Sequence, residues 1–395
     1  MRKLLIYNPT CDMAVENGTY SYMPSQLLAK FETDISPLMG FMGWADDYLC
    51  YEGPCPETLL NFWQDKNVSL PQLTDAASCA KLKVDELIPW GWSPVVHRRF
   101  AHTCPSSKLP SIVEDAQSLK KFFSRETSLR LAHEFNTYAS HPYVKIPHLP
   151  QQLESFDALK KMLAHHPNGI VVKTNWSSSG RGLLFIRSKQ QLQQAFGWLI
   201  ANLKKHGSLI TEPLYQKVQD ASLQFIIRKE GKYDFLGINY FDADNKGRFS
   251  KEYIHIPSYN TTGSPKNDQW LRDCSDIVMQ SMHNIGFHKV YHGPIGIDAM
   301  FIITPEGKPA FYPIVEANLR CNMGLINLHI KKLIDPDAKG SWQITPFNEG
   351  AAPLFYSEQV KKHPCEFKQG KISKGFLPLT AFDAQSRFAA WGIIY

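Results

Sequence analysis

The chain has 395 residues, 43% of them hydrophobic and 20% charged, with a formal net charge of +6. That length exceeds one ordinary core, so two or three domains are expected. The positive balance is mild and carries no dense Lys/Arg block, which argues against nucleic acid as a partner and suits a small anionic ligand. No run approaches the roughly 18 apolar residues of a transmembrane helix, so no membrane partner is expected. The opening "MRKLLIYNPTCDM" has a basic start but a very short apolar run. Residues 4–7 read as a buried first strand rather than a signal peptide, and a cytoplasmic protein is expected. The eight cysteines, Cys11, Cys50, Cys55, Cys79, Cys104, Cys274, Cys321 and Cys365, lack CxxC spacing and read as reduced thiols rather than zinc ligands.

Residues 1 to about 115 are rich in Pro, Trp, Tyr and Cys and read as a small α/β domain with irregular loops. Asn8, Asp12 and Asn17 follow the first strand, where α/β domains tend to place ligands; a well-packed polar loop explains them equally. "HTCPSSKLPS" (102–111) reads as a linker because Pro and Ser punctuate it. The apolar spacing of 115–135 predicts one helix. A helix at 155–165 and a strand at 169–173 follow, then a Ser/Gly loop and a strand at 183–187. Ser188 and Gln191 form a capping box, ahead of a helix with Leu192, Phe196, Leu199 and Leu203 on one face. Strands are predicted at 208–211, 222–228, 234–240, 296–303 and 310–317, with a helix near 268–285 between them. Hairpin signals ("RKEGKY", "TPEGKP") favour an antiparallel, mixed α/β architecture over a doubly wound sheet. The last 20 residues read as a closing strand pair.

Three stretches carry candidate chemistry. "GIVVKTNWSSSGRGLLFI" (169–186) is a strand, a small-residue loop and a returning strand. Small residues let backbone N–H groups approach an anion, serine hydroxyls add donors, and Lys173 sits where its ammonium can meet a phosphate. A plain hairpin with a solvated lysine fits as well. The GxxxxGK[ST] order is absent, so this is not a Walker loop. "SLITEPLYQKVQDASLQFIIR" (208–228) offers a strand end able to bind an adenine edge and an acid a little further on for ribose hydroxyls; two solvated acids in a loop fit as well. The third stretch, 291–324, reads as a hairpin turning at 305–308. Counting outward sets Asp298 opposite Val315 or Glu316, while alternation puts Glu316 and Asn318 on one face. Two carboxylates and an amide suit a hard cation such as Mg²⁺. An exposed polar edge is the other reading, but both acids lie in apolar strands, where an unpaired carboxylate is costly.

In this order, lysine with small-residue loop, acidic hinge about 40 residues later, then D…ExN on a late hairpin, residues 115–330 resemble the ATP-grasp superfamily. The preceding domain looks like its usual pre-ATP-grasp domain. The resemblance implies a small Rossmann-like α/β domain over 1–114. It further implies two α+β subdomains with largely antiparallel sheets gripping ATP, at 115–207 and 208–395. It assigns Lys173 to the α- and β-phosphates and Ser177, Ser178, Ser179 and Gly180 to the phosphate-covering loop. Glu212 and the Leu214 backbone match the adenine hinge, and Asp220 the ribose acid. Asp298, Glu316 and Asn318 match the Mg²⁺ (or Mn²⁺) ligands, and Arg320 the arginine that stabilises a phosphorylated intermediate. Arg125 is the nearest match to the first ATP-contacting lysine, or a solvated helix arginine.

Three positions depart from the pattern. Gly296 stands where many members carry an arginine, Pro213 follows the hinge acid, and an arginine, Arg125, is the nearest candidate where the first ATP lysine usually sits near the start of the central subdomain. The implied activity is ATP-driven activation of a small-molecule carboxylate as an acylphosphate and its coupling to an amine, with a homo-oligomer compatible. A phosphotransferase on the same fold and a non-catalytic ATP-binding regulator are the alternatives; retention of all three metal ligands argues against the latter. Arg181 either touches the γ-phosphate or faces water, Trp176 reads as an anchor for the loop, and "HRRF" (97–100) and His292 read as structural.

Overall fold

A computed structural model describes residues 1–139, 141–176, 182–244, 247–256 and 269–395. The chain forms two compact units, one of Met1–Ala116, Ser250–Pro257 and Arg320–Tyr395, the other of Gln117–Phe249 and Ser258–Leu319. The expected third segment, 208–395, is thus divided: its last 76 residues fold with the N-terminal unit. Among the described residues no helix is long and apolar enough to cross a membrane.

In the first unit, strands Gln72–Thr74, Tyr48–Cys50, Lys3–Ile6 and Glu86–Pro89 lie in that order, all parallel. Both faces of such a sheet are covered by its crossover connections, and Leu4 and Leu5 are accordingly fully buried. Helices Gln26–Ile35 and Pro94–Phe100 start at Ser25 and Ser93, whose side chains accept backbone N–H groups three residues on. Pro94 sits at the first helical position, where its missing N–H costs nothing. The segment read as a linker instead winds through three short 3₁₀ turns, Ala101–Thr103, Ser106–Lys108 and Ser111–Glu114. Pro105 and Pro110 separate those turns, so proline here sets turn boundaries rather than an extended run. The C-terminal part adds antiparallel strands Gly340–Pro346, Phe388–Ile394 and Lys371–Pro378. The last two are the predicted closing pair. Helix Ala351–Lys362 packs over them through Ala352 and Phe355, against Phe376, Phe382 and Ala389.

The second unit holds two antiparallel sheets. One orders Gln151–Leu153, Leu209–Pro213, Ile170–Lys173 and Leu183–Ile186. Its apolar face, with Ile170, Val172, Ile186 and Leu209, packs on helices Phe156–His165, Lys189–Gln194 and Phe196–His206 through Leu159, Leu192, Leu199 and Leu203. Ser188 caps as predicted, accepting from the Gln191 N–H at 3.2 Å. The helix after it breaks at Ala195; that shift of phase leaves Phe196 42% exposed, off the face it was expected to share. The other sheet pairs Pro309–Asn318 with Gly293–Ile303, Gly293–Ile303 with Gln216–Ile227, and Gln216–Ile227 with Tyr233–Ala243. The predicted single helix at 115–135 is two, Ala116–Phe122 and Arg125–Tyr138. Ser124 divides them: its backbone is extended and its hydroxyl closes the first helix on the Lys121 carbonyl at 2.7 Å.

Candidate functional site

Strand alternation sorts the first antiparallel sheet of the second unit into two faces. Ile170 and Val172 face the helices, so Val171 and Lys173 face the other way. On the neighbouring strand Glu212 pairs with Val171 and Ile210 with Lys173, which makes Lys173 and Glu212 diagonal neighbours on one face. The Lys173 ammonium lies 2.6 Å from Glu212 Oε1 and donates to the Val315 carbonyl at 3.1 Å. Tyr312 donates its hydroxyl to Glu212 Oε2 at 3.2 Å. Burial, and then the Glu212 carboxylate, push the Tyr312 phenol well above its ordinary range, so it remains a donor. Both charged side chains are 6% exposed, and a pair this buried persists only because each partner has further hydrogen bonds.

The second sheet carries a polar row across its strands. Glu316 pairs with Asp298, Asp298 with Ser222, and Ser222 with Asn239. Residues directly opposite in a ladder share a face, so four oxygen-bearing side chains line up on four successive strands. Asn318 and Gln224, two residues along, point to the same face. Asn318 donates its amide to Asp298 Oδ2 at 3.0 Å, and Gln224 donates to Ser222 Oγ at 2.8 Å. The opposite face is apolar, with Ile297, Ala299, Ala221, Leu223 and Phe225 buried.

Arg125 is 6% exposed, which excludes the solvated helix arginine. It stands at the first position of its helix. Its Nε and Nη2 donate to the two oxygens of Glu316 at 3.0 and 3.2 Å, and Nη1 donates to the Thr174 carbonyl at 2.8 Å. A two-pronged guanidinium–carboxylate contact of this kind fixes geometry as well as charge. Ser128, one turn further on, accepts the Ala317 N–H at 2.9 Å.

Asp220 lies two residues before Ser222 and forms an ion pair with Lys217 at 2.5 Å. Burial raises its pKa, with Lys217 opposing the rise. The Leu214 N–H is committed to the Gly169 carbonyl at 2.9 Å. Since Pro213 has no N–H, neither of these two hinge residues presents a donor, and what they offer a ligand is carbonyl oxygen. Trp176 donates its indole N–H to the Lys120 carbonyl at 3.0 Å, and the Lys120 ammonium lies 5.0 Å from its ring. Ser177, Ser178, Ser179, Gly180 and Arg181 lie outside the described residues.

Arg320 belongs to the first unit. Its Nε lies 3.0 and 3.3 Å from the two Asp12 oxygens, and its Nη1 donates to the Cys321 carbonyl at 3.2 Å. "HRRF" falls in the helix Pro94–Phe100 of the same unit.

Asp298, Glu316 and Asn318 fit a hard divalent cation by donor chemistry. Two carboxylates meet across a ladder, and the amide that donates through Nδ2 keeps its Oδ1 as an acceptor. Among the described residues no group of three or more His, Cys, Asp or Glu could hold a metal. A cation here would therefore draw its remaining ligands from an amide, water or a phosphate-bearing substrate, the pattern expected of Mg²⁺.

Sequence reasoning missed Tyr312, Ser222, Asn239, Gln224 and Asn175. Asn175 is 1% exposed and donates to Glu126 at 3.2 Å, while its Oδ1 has no hydrogen-bond partner among the described residues. Their signal was a polar residue inside an apolar run, as in "DASLQFII" and "GINYF". Only the pairing register reveals that Ser222 and Asn239 share one row with Asp298 and Glu316.

No family model and no curated protein sequence matches the chain. Solved structures match over its whole length. N5-carboxyaminoimidazole synthetase from Staphylococcus aureus, complexed with ADP, aligns with 100% of this chain and 92% of its own at a TM-score of 0.52 and 11% identity. The biotin carboxylase domain of Hydrogenobacter thermophilus 2-oxoglutarate carboxylase, in complex with MgADP, ADP and bicarbonate, aligns with 100% of this chain and 86% of its own, at 0.53 and 12%. Phosphoribosylamine–glycine ligase from Thermotoga maritima aligns over 100% and 92%, at 0.52 and 11%. The chain has the fold of these proteins, the ATP-grasp fold.

Proposed function

We propose that this chain is an ATP- and Mg²⁺-dependent, ADP-forming ligase that activates a small-molecule carboxylate and couples it to an amine. The observation that carries this reading is the row Glu316–Asp298–Ser222–Asn239, in the same unit as the Lys173–Glu212 pair. The fold is shared with proteins solved with ADP and MgADP. Lys173 takes the α- and β-phosphates, Ser177 to Gly180 cover the phosphate chain, and Arg125 adds a second cation. Glu212 and the Leu214 carbonyl line the adenine hinge, with Asp220 as acceptor for the ribose hydroxyls. Asp298, Glu316 and Asn318 hold Mg²⁺ or Mn²⁺, which when bound supplies charge neutralisation to the phosphates. The substrate carboxylate oxygen attacks the γ-phosphorus and ADP leaves. An amine then attacks the acyl carbon of the acylphosphate, phosphate leaves with the C–O bonding pair, and the amine loses a proton. Arg320 stabilises the charge on the phosphorylated intermediate. Catalysis is positioning and electrostatics, with no protein nucleophile.

The test is ADP release from Mg·ATP across a matrix of carboxylates and amines. Asp298→Asn and Glu316→Ala should each abolish release while leaving the circular dichroism spectrum unchanged. Intact turnover in either variant removes the metal assignment. A stable phosphorylated product formed without an amine replaces the ligase reading by phosphotransfer.

A further inference from the structure

The geometry points to Asp12 as the residue that positions Arg320, acting through a clamp at the C-terminal edge of the parallel sheet. This rests on the reading of Arg320 as a catalytic arginine, and it concerns contacts within the first unit only. The strand Lys3–Ile6 and its neighbour Glu86–Pro89 end side by side; the helix Cys11–Asn17, reached through the loop after the first, and the loop after the second contact residues 320 and 321. Asn8 joins the loops: its Nδ2 donates to the Gly91 carbonyl at 2.8 Å, and the Gly91 N–H donates to its Oδ1 at 3.2 Å. The Trp90 carbonyl accepts the Cys321 N–H at 2.8 Å. A Cβ built on Gly91 would lie 2.3 Å from Cys11 Sγ and 3.3 Å from Arg320 Cβ. Only glycine lets this backbone close on the residue before Asp12 and on Arg320 together.

Against that frame Asp12 holds the guanidinium by Nε, and Cys321 holds it by Nη1. Two points on a planar group fix its orientation, where one would leave rotation about the last side-chain bond. The pair is 15% and 18% exposed, too buried for solvent screening to cancel it, unlike an exposed surface pair. The function of Asp12 is then orientation rather than substrate contact. Its loss should lower turnover without changing affinity for ATP.

Two measurements on the full chain test this. The first observes the Arg320 Nε–H by ¹⁵N–¹H NMR, assigned by its loss in Arg320→Lys. Its exchange with water should be slow in the wild type and in Asp12→Glu, and about tenfold faster in Asp12→Asn, as expected for loss of one charge-assisted hydrogen bond. An exchange rate unchanged by Asp12→Asn overturns the inference whether or not the chain is a ligase. The second measures ADP formation. Asp12→Asn should lower kcat about tenfold with KM for ATP unchanged, Asp12→Glu should recover most of it, and Asp12→Asn should add nothing to Arg320→Ala. Additive losses, or a loss confined to KM, overturn positioning. Slow wild-type exchange lost in Asp12→Asn, in a chain that forms no ADP with any substrate, supports the clamp and overturns the ligase reading instead.

Discussion

Replacing Lys173 by methionine tests the centre of the candidate site without any knowledge of the substrate. The side chain keeps most of its volume but loses its charge, and among the described residues Glu212 remains with Tyr312 as a hydrogen-bond partner. Both members of the pair are 6% exposed, at 2.6 Å. Removing one partner of an ion pair this buried typically costs about 3–5 kcal/mol, because the remaining charge stays desolvated and uncompensated. Adding Glu212→Gln should recover much of that loss, since glutamine can still accept from Tyr312 and carries no charge to strand. The assay is a double-mutant cycle in urea denaturation of the full chain. The expected coupling is at least about 2 kcal/mol, with the double variant more stable than Lys173→Met alone. Losses that add to within about 0.5 kcal/mol would show that the two charges do not depend on one another, and the buried-pair argument would fall. On the proposed function both variants also lose ATP binding, which calorimetry measures independently of stability.

Two further outcomes concern the first unit. Burial, then the Lys332 and Lys3 ammonium groups, push His329 down to about 4, below the ordinary value of about 6.5. The unfolded chain therefore takes up a proton that the native state refuses. The contribution is fully present above about pH 6.5, is lost as pH falls to about 4, and amounts to about 3 kcal/mol. His329→Gln should flatten the stability profile over that window; an unchanged slope would refute the assignment. Gly91→Ala brings a methyl carbon against Cys11 Sγ at 2.3 Å, an overpacking that should cost about 1–3 kcal/mol. Cys11→Ala should relieve part of it, and a neutral Gly91→Ala measured by thermal unfolding would show that the two loops are not in close contact.

The fold was legible where one face of an element is apolar. The strands at 169–173 and 310–317 and the helix at 155–165 fall within a residue or two of the observed bounds, because continuous apolar runs mark the two strands and a helical apolar spacing marks the helix. The antiparallel preference was legible from turn chemistry, as Gly231 and Gly307 adopt the positive φ that their hairpins require. Breaks set by a single hydrogen bond were not legible. Ser124 interrupts a helical pattern without interrupting its apolar spacing, and Ala195 gives no signal at all. The strands Gln151–Leu153 and Gly340–Pro346 were missed because their residues are partly exposed and make their case only through pairing. In the site, counting outward from the turn left Asp298 opposite Val315 or Glu316; the pairing is with Glu316, past a register shift between Asp298 and Met300 that the count could not include. Ser222 and Asn239 could not follow in that way, since their register is set by neighbours distant in sequence.

Four of the charged residues singled out from the sequence share a property that the sequence did not suggest. Lys173 is compensated by Glu212, Arg125 by Glu316, Asp220 by Lys217, and Arg320 by Asp12. A site built for a phosphate chain and a divalent cation must present strong charges of both signs, yet isolated buried charges are too costly to keep. Pairing them with one another resolves the conflict, and the two ligand charges can then exchange partners with the pairs. On the proposed function, phosphate oxygens take over Arg125 while the cation takes over Glu316, and Lys173 meets phosphate without leaving Glu212. Neither step strands a charge, so the cost of opening each pair is offset by the ligand that opens it. This makes the two ligands interdependent. Phosphate binding without a cation leaves Glu316 uncompensated, and a cation without phosphate must displace Arg125 from the same carboxylate. Affinity for ATP should therefore rise with Mg²⁺ in the wild type, and that dependence should be lost in Glu316→Ala.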